Sequence, residues 1–143
     1  MADLRKASDA AVRAADVLLR SAGGRVVLVR VPAPGVAGDV SEQLGLAVPE
    51  FQDVELAPVV FRKARGHVAE GKAAKWELLV SATAVNGVVG SLGYSAASVL
   101  FGVAYGVLVD GVLMEVESAT ESELGGVPYV YRLLVREPIS LTV

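Results

Sequence analysis

The stretch VLVDGVLMEVES, residues 107–118, decides the fold class of this 143-residue chain. Apolar runs lie on both sides of Asp110-Gly111. Asp-Gly is a strong hairpin signal, because a type I′ turn needs positive φ at both of its central residues. The sequence therefore predicts two antiparallel strands that are joined by a tight turn at this point.

A further strand is predicted at VPYVYRLLVRE, residues 127–137. Alternation puts four apolar side chains on one face of it, namely Tyr129, Tyr131, Leu133 and Val135. The preceding connection, SATESELGGV, is polar and rich in glycine. If this strand pairs with residues 112–118, two carboxylates face two arginines across the ladder, Glu115 and Glu117 facing Arg132 and Arg136.

Three earlier segments are dense in β-branched and aliphatic residues, which indicates strands: RVVLVRV at 25–31, VVFRKAR at 59–65 and KWELLVSAT at 75–83. The first of them stops at Pro32, because proline cannot continue a ladder. Glycines, prolines and acids are mixed with isolated apolar residues after that point. They predict a long loop over 32–58 that is pinned at intervals and that reaches a neighbouring subunit.

The N-terminal segment, residues 1–24, predicts a helix that Gly23-Gly24 ends. Its apolar positions recur at three- and four-residue spacing, at Leu4, Ala7, Ala11, Ala14, Ala15 and Leu18. A stripe of alanines buries little area, so we expect the helix to lie on the surface or to dock onto a partner. Charges recur along the segment and exclude the apolar core of a secretory signal, so we expect a cytoplasmic protein.

The middle of the chain, Leu78 to Val109, has 32 residues without Asp, Glu, Lys, Arg or His. Residues 88–109 are long enough to span a bilayer, and a membrane anchor is one hypothesis for them. Glycines and serines dilute the insertion energy, and no cluster of lysine or arginine anchors the end of the stretch. The sequence favours a short buried helix over 96–105, begun at Ser95 and ended by Gly106.

Composition and charge point to association. Hydrophobic residues make up 53% and charged residues 20% of the chain, against roughly 25% charged in a typical soluble domain. The net charge of −3 is distributed in alternating blocks, +3 over 1–30, −5 over 31–60, +4 over 61–76 and −5 over 77–143. Such blocks can register one subunit against the next, although the charge pattern taken alone favours scattered solvated charge. The apolar composition suits either a membrane protein or a subunit that hides surface against its own copies.

These elements predict a single domain over residues 1–143. A helix over 1–24 precedes a mainly β (α+β) body over 25–137, which forms a small β-barrel or sandwich with one short internal helix. Residues 138–143 form a C-terminal tail.

No catalytic or cofactor site is predicted. His67 is the sole histidine and lies in a basic connection, there is no cysteine, and GSLGYS at 90–95 lacks the Lys-Ser/Thr of a phosphate loop. No spacing of ligands indicates a metal. The basic run over 61–76 indicates at most weak contact with nucleic acid phosphates, without readout of bases.

The layout over roughly residues 54–137 resembles the head–tail joining proteins of tailed bacteriophages, of the stopper or head-closure class. The features that carry the likeness are the N-terminal helix, the long acidic loop, the VVFRKAR and KWELLV strands and the final DGVLMEVES…VPYVYRLLVRE meander. The resemblance implies a small β-barrel whose copies form a ring between the portal or adaptor and the tail. Tail terminators and adaptors are the alternatives within the same neck.

From this likeness we expect a non-enzymatic virion protein, assembled in the host cytoplasm, that works as a homo-oligomeric ring with portal, adaptor and tail proteins as partners. Membrane and cofactors have no part in that expectation, and DNA passing through the channel is contacted without sequence specificity. Candidate interface residues are Leu44, Leu46, Phe51, Arg62, Lys63, Arg65, Lys72 and Lys75. A small membrane-associated protein and a monomeric ligand-binding barrel are the alternatives from other classes.

Overall fold

The computed structural model describes residues 2–33, 50–63 and 75–137. In chain order the helices are α1 (Ala2–Ser21), α2 (Ala82–Leu92) and α3 (Ala97–Val103). The strands are β1 (Arg25–Pro32), β2 (Phe51–Lys63), β3 (Lys75–Ser81), β4 (Gly106–Val109), β5 (Val112–Leu124) and β6 (Val127–Arg136). The predicted mainly β class with an N-terminal helix is confirmed.

The six strands form a closed barrel in the order β1-β2-β3-β6-β5-β4, and every neighbouring pair is antiparallel. Of the two predicted forms, barrel and sandwich, the chain adopts the barrel. Its interior is filled by inward-facing aliphatic side chains that are fully buried: Val29, Val31, Leu56, Val59, Leu78, Val80, Val107, Leu133 and Val135. Closure gives every described strand two neighbours, although β5 pairs with β4 only over Val112–Met114 and with β6 alone beyond that point.

The Asp-Gly hairpin forms as predicted. Asp110 has φ 51° and Gly111 has φ 82°, the two positive values that the tight turn requires. β4 also approaches β5 closely at its first residue, since a Cβ on Gly106 would lie 2.5 Å from the Met114 carbonyl oxygen. Only glycine permits that approach.

The last hairpin is longer than predicted, because the polar connection before residue 127 is part of a strand. β5 continues to Leu124, and Gly125 and Gly126, with φ 61° and 78°, make the turn by themselves. A bulge between Val116 and Ser118 interrupts the alternation of β5, and it obscures the strand in the sequence.

The predicted loop over 32–58 is wrong at its C-terminal end, where β2 begins at Phe51 and pairs with β1. Alternation explains the strand: Leu56 is buried, whereas Asp53 and Glu55 point outward. Pro58 lies at a bulge, where the β1–β2 register shifts and no ladder bond is needed from it. The remainder of the predicted loop lies outside the described residues.

Two helices, where one was predicted, connect β3 to β4. α2 occupies the first half of the chargeless region, and Ser81 caps it by accepting a hydrogen bond from the Ala84 amide. α3 begins after Ala96, and no side chain caps it, so the predicted role of Ser95 is wrong. The two helices close one end of the barrel and add buried side chains to the core: Val85, Val88, Leu100 and Phe101.

α1 lies across the outside of β2, β3, β5 and β6. It is rotated relative to the prediction, because its buried residues are Ser8, Ala15 and Leu19, whereas Leu18 is 68% exposed. Polar contacts explain the rotation: Asp16 accepts hydrogen bonds from Ser81 Oγ and from Thr83 Oγ1 at the β3–α2 junction. Those bonds turn the helix face that carries Asp16 toward the barrel. The spacing of the apolar residues does not indicate that face.

Candidate interaction surfaces

An ion-pair network crosses the outer face of β2, β3 and β6. Glu77 on β3 accepts from Arg62 on β2 at 2.8 Å and from Arg132 on β6 at 2.7 Å. The Glu77 side chain is only 15% exposed, whereas both arginines are at least half exposed. One carboxylate therefore ties three adjacent strands together on the surface.

A second network joins β3, β5 and β6. Arg136 contacts Glu115 at 2.8 Å and Glu117 at 3.5 Å, and Lys75 contacts Glu117 at 3.1 Å. The predicted pairing of Arg136 with the two glutamates is confirmed. The predicted pairing of Arg132 with them is wrong, because Arg132 lies opposite Thr120, farther along β5, and its guanidinium contacts Glu77 on β3.

The interface stays a prediction, and the structure describes four of its residues, Phe51, Arg62, Lys63 and Lys75. Arg62 and Lys75 are engaged with acids of their own chain, and Lys63 is exposed and has no ion pair among the described residues. Four of the predicted residues lie outside the described ranges, Leu44, Leu46, Arg65 and Lys72, as does His67. A free basic patch is therefore smaller than the sequence indicates.

Phe51, the remaining predicted interface residue, is 52% exposed at the start of β2. The Arg30 guanidinium lies 3.9 Å from the centre of its ring, in cation–π contact. Asp53 orients that guanidinium by accepting two hydrogen bonds, at 2.9 and 3.1 Å. The same bonds from Arg30 hold the pKa of the Asp53 carboxyl below its ordinary value.

The exposed side of α1 carries a strip of small and apolar side chains, which we call the outer strip. It consists of Ala7, Ala10, Ala14, Val17 and Leu18. Val17 and Leu18 are 59% and 68% exposed. A second, charged strip runs beside it on the same helix, made of Lys6, Asp9, Arg13 and Arg20. α1 is therefore apolar on two sides, one packed on the barrel and one facing outward.

A row of leucines crosses the outside of the barrel on β1, β4 and β5. Leu28 pairs with Leu108, and Leu108 pairs with Leu113. Each of the three alternates with residues that point inward, such as Val27, Val107 and Met114. With Val26, which is 60% exposed, these half-buried leucines form what we call the uncovered face, because α1 packs on the other side of the barrel; α3 contacts β1 and β5.

The uncovered face and α1 lie on opposite sides of the barrel. In the closed order, β1 and β4 are neighbours, and the β3–β6 pair under α1 is the pair farthest from them. One edge of the leucine row is acidic, because Glu55 on β2 is directly opposite Leu28. Glu115, two residues after Leu113 on β5, is paired with Arg136.

The barrel end beside α3 holds a small cavity of about 170 Å³, lined by Ser98, Phe101, Ala119, Thr120, Glu121 and Tyr131. Burial, followed by the negative charge and hydrogen bonding of Glu121, raises the pKa of Tyr131. Hydrogen bonding with Glu121 also raises the pKa of Glu123. The cavity is too small for a cofactor, since ligand pockets usually measure about 300–1,000 Å³.

A larger open groove of about 500 Å³ lies where β1 and β2 meet the α2–α3 turn, and Pro32, Gln52, Leu92, Tyr94 and Val103 are among its lining residues. No charged side chain is among the described lining residues; the polar ones are Gln52, Ser91 and Tyr94, and Ser91 Oγ donates a hydrogen bond to the Val88 carbonyl oxygen. Within residues 2–33, 50–63 and 75–137, no three His, Asp or Glu side chains come together as metal ligands.

Among the described helices, none is by itself long and apolar enough to cross a bilayer, although α2 and α3, bent by 75°, satisfy the length and composition test as a pair.

No protein-family model matches this chain, and neither the curated proteins nor the solved structures contain one that is significantly similar to it.

Proposed function

We propose that this protein is a structural subunit that assembles into a ring at the head–tail joint of a tailed bacteriophage, as a stopper or head-closure protein. Tail terminator and adaptor rings of the same neck are the closest variants of the proposal. The partners are further copies of the chain, the portal or adaptor on one side and tail proteins on the other. Its location is the neck of the virion, after assembly in the host cytoplasm.

The observation that carries the proposal is apolar surface left uncovered on a closed barrel. Ten large apolar side chains are at least 36% exposed in the described part of the chain: Val17, Leu18, Val26, Phe51, Val99, Val103, Tyr105, Val112, Leu124 and Val127. They lie on several sides of the molecule, on α1, on β1 and at the tip of the β5–β6 hairpin. Surface of this kind favours association with more than one neighbour.

The mechanism is geometric. A subunit with different adhesive surfaces on opposite sides joins head to tail, and the chain of subunits closes into a ring when the rotation between neighbours closes. The barrel provides a rigid body for such a ring, because its strands are paired all round and its interior is filled. A ring of rigid subunits leaves a channel of fixed width for DNA, which the ring contacts without reading bases.

Light scattering and negative-stain microscopy of the purified chain test the proposal. We expect a ring-shaped oligomer of defined mass that persists on dilution into the micromolar range. A monomer whose mass is independent of concentration would support a ligand-binding barrel and contradict the proposal. Material that sediments with membranes in the absence of detergent would support an anchor at residues 88–109 instead.

The genomic neighbourhood provides a separate test of the phage assignment. We expect reading frames for a portal protein, a capsid protein or a tail protein on either side of this one. Co-expression with those neighbours should then yield a complex in which the ring binds the portal or adaptor. Flanking genes without virion products, together with a soluble ring, would leave ring assembly standing and remove the phage role.

A further inference from the structure

We propose that the outer strip of one copy packs on the uncovered face of the next copy, an interface that rests on the ring assembly proposed above. Each barrel then lies between two helices, its own α1 on β2, β3, β5 and β6 and the neighbour's α1 on β1 and β4. The occupant of the uncovered face is therefore a second copy of this chain.

The shapes of the two surfaces match. The outer strip is made of small residues apart from its two largest, Val17 and Leu18, which lie at its C-terminal end. Alanines let a helix approach a sheet closely, and the three paired leucines present a continuous apolar row to it. The same combination occurs within one chain, where Ala15 and Leu19 of α1 are buried on the opposite side of the barrel.

The charges of the two surfaces also match. The charged strip beside the outer strip carries three cations and one acid, Lys6, Arg13, Arg20 and Asp9. Arg13 and Arg20 have no ion pair among the described residues. Glu55 at the edge of the uncovered face is exposed and likewise has no ion pair in the described part of the chain. Docking that aligns the apolar surfaces brings the cationic strip toward this acidic edge.

The placement of the two surfaces decides the symmetry. The outer strip and the uncovered face lie on opposite sides of one barrel, so their contact is heterologous and repeats from copy to copy. Two outer strips packed on each other would give a closed dimer, and would leave the leucine row on both barrels exposed. A head-to-tail contact covers both surfaces of every subunit in a ring.

Cysteine cross-linking tests this arrangement, because the chain has no cysteine of its own. Leu18→Cys places one thiol on the outer strip, and Val26→Cys places one on the uncovered face, both at exposed positions. We expect a short bis-maleimide to produce a covalent dimer when the two variants are mixed, and no dimer from either variant alone. Val127→Cys, at a residue 41% exposed on the β5–β6 hairpin, is the matched control and should not couple to Leu18→Cys.

Three cross-linking results would overturn the interface. Coupling of Leu18→Cys with itself would show that two helices meet, and coupling of Val26→Cys with itself would show that two sheet faces meet. An oligomer that forms in the mixture without any coupling of the two thiols would also overturn it, while leaving ring assembly intact. A wild-type chain that stays monomeric overturns the ring and the interface together.

Charge insertion provides the second measurement. Leu18→Glu should raise the dissociation constant of the oligomer by about tenfold or more, whereas Asn86→Glu, at an exposed polar position of α2, should leave it within about twofold of the wild type. Both positions are exposed in the single chain, so circular dichroism should show the wild-type fold for both variants. Equal effects of the two substitutions would contradict the assignment of the outer strip.

Discussion

Two opposite sides of the barrel's outer surface differ in what covers them. The side formed by β2, β3 and β6 carries α1, a hydrogen-bonded anchor at Asp16 and an ion-pair network centred on Glu77. The side formed by β1 and β4 carries most of the leucine row, and α1 lies on the other four strands. The first side is covered by an element of its own chain, whereas the second leaves apolar side chains at the surface.

The comparison shows which side of the outer surface has its elements held in position by polar contacts. On the covered side, Asp16 and Glu77 each bind two partners, and these contacts determine how α1 and the strands sit. On the uncovered side, the leucines form apolar surface without directional bonds. Directional contacts specify the fold of the chain, whereas the undirected apolar surface is available for association.

The largest expected effect is on the uncovered side, at Gly106 of β4. Gly106→Ala places a Cβ against the Met114 carbonyl oxygen and should lower the free energy of unfolding by about 3 kcal/mol, measured by urea denaturation. Gly87→Ala is the control, because a Cβ there meets nothing within 4 Å. In the middle of α2 this alanine should stabilise by up to about 1 kcal/mol. Equal effects of both changes would contradict the close β4–β5 approach.

On the covered side, Asp16→Ala removes the acceptor for two hydroxyl groups, one of them on the fully buried Ser81. We expect a loss of about 2 kcal/mol in the free energy of unfolding, together with faster hydrogen exchange of the α1 amides. Asp9→Ala changes an exposed carboxylate on the same helix and should cost less than about 0.5 kcal/mol. If both variants unfold alike, the anchor does not hold α1.

The ion-pair network on the same side should contribute less. Glu77→Gln weakens the contacts with Arg62 and Arg132 and should cost about 1 kcal/mol, with the difference from wild type shrinking as salt is added. Glu115→Gln changes a side chain that is 55% exposed and should cost less than about 0.5 kcal/mol. A penalty for Glu77→Gln that is independent of salt would contradict an electrostatic origin.

The smallest effect concerns pH at the border of the uncovered side. Because Arg30 lowers the pKa of Asp53 in the folded chain, the ionised carboxylate stabilises the fold at pH values above its ordinary pKa of 3.8. That contribution is lost as the pH falls through the lowered folded pKa. Asp53→Asn should therefore make the urea midpoint less dependent on pH below 3.8.

Arg30→Gln is the companion variant, because loss of either partner removes the interaction. It should reproduce the weaker pH dependence of Asp53→Asn. A wild-type dependence in both variants would show that the contact between Arg30 and Asp53 does not influence the titration.

Much of the fold could be predicted from local signals. Asp110-Gly111 defines its turn by backbone requirements that few other dipeptides meet, and the alternation of residues 127–137 defines a half-buried strand. β2 was concealed, because its outward acids and Pro58 are typical of loops when the partner strand is unknown. The rotation of α1 depends on Asp16 meeting residues 65 and 67 positions away, which no local pattern contains.

The candidate surfaces were harder to predict than the fold. The basic run was identified from its charge. Two of its members are paired with acids on other strands, Arg62 with Glu77 and Lys75 with Glu117. The uncovered face has a signal in the sequence of β1 and β4. RVVLVRV and GVLV are apolar at consecutive positions, which indicates strands covered on both sides.

The bulge between Val116 and Ser118 determines which side chains of β5 line one end of the barrel. The additional residue shifts the in–out alternation of β5 by one position. Glu121 therefore lies opposite Tyr131 and on the same face of the sheet. Strict alternation would have placed Thr120 and Ser122 on that face. The lumen is consequently hydrocarbon at its middle and hydrophilic at one mouth, with the Tyr131 ring at the boundary. If β5 kept all its residues but paired without the bulge, the neutral hydroxyl groups of Thr120 and Ser122 would line this end in place of the Glu121 carboxylate.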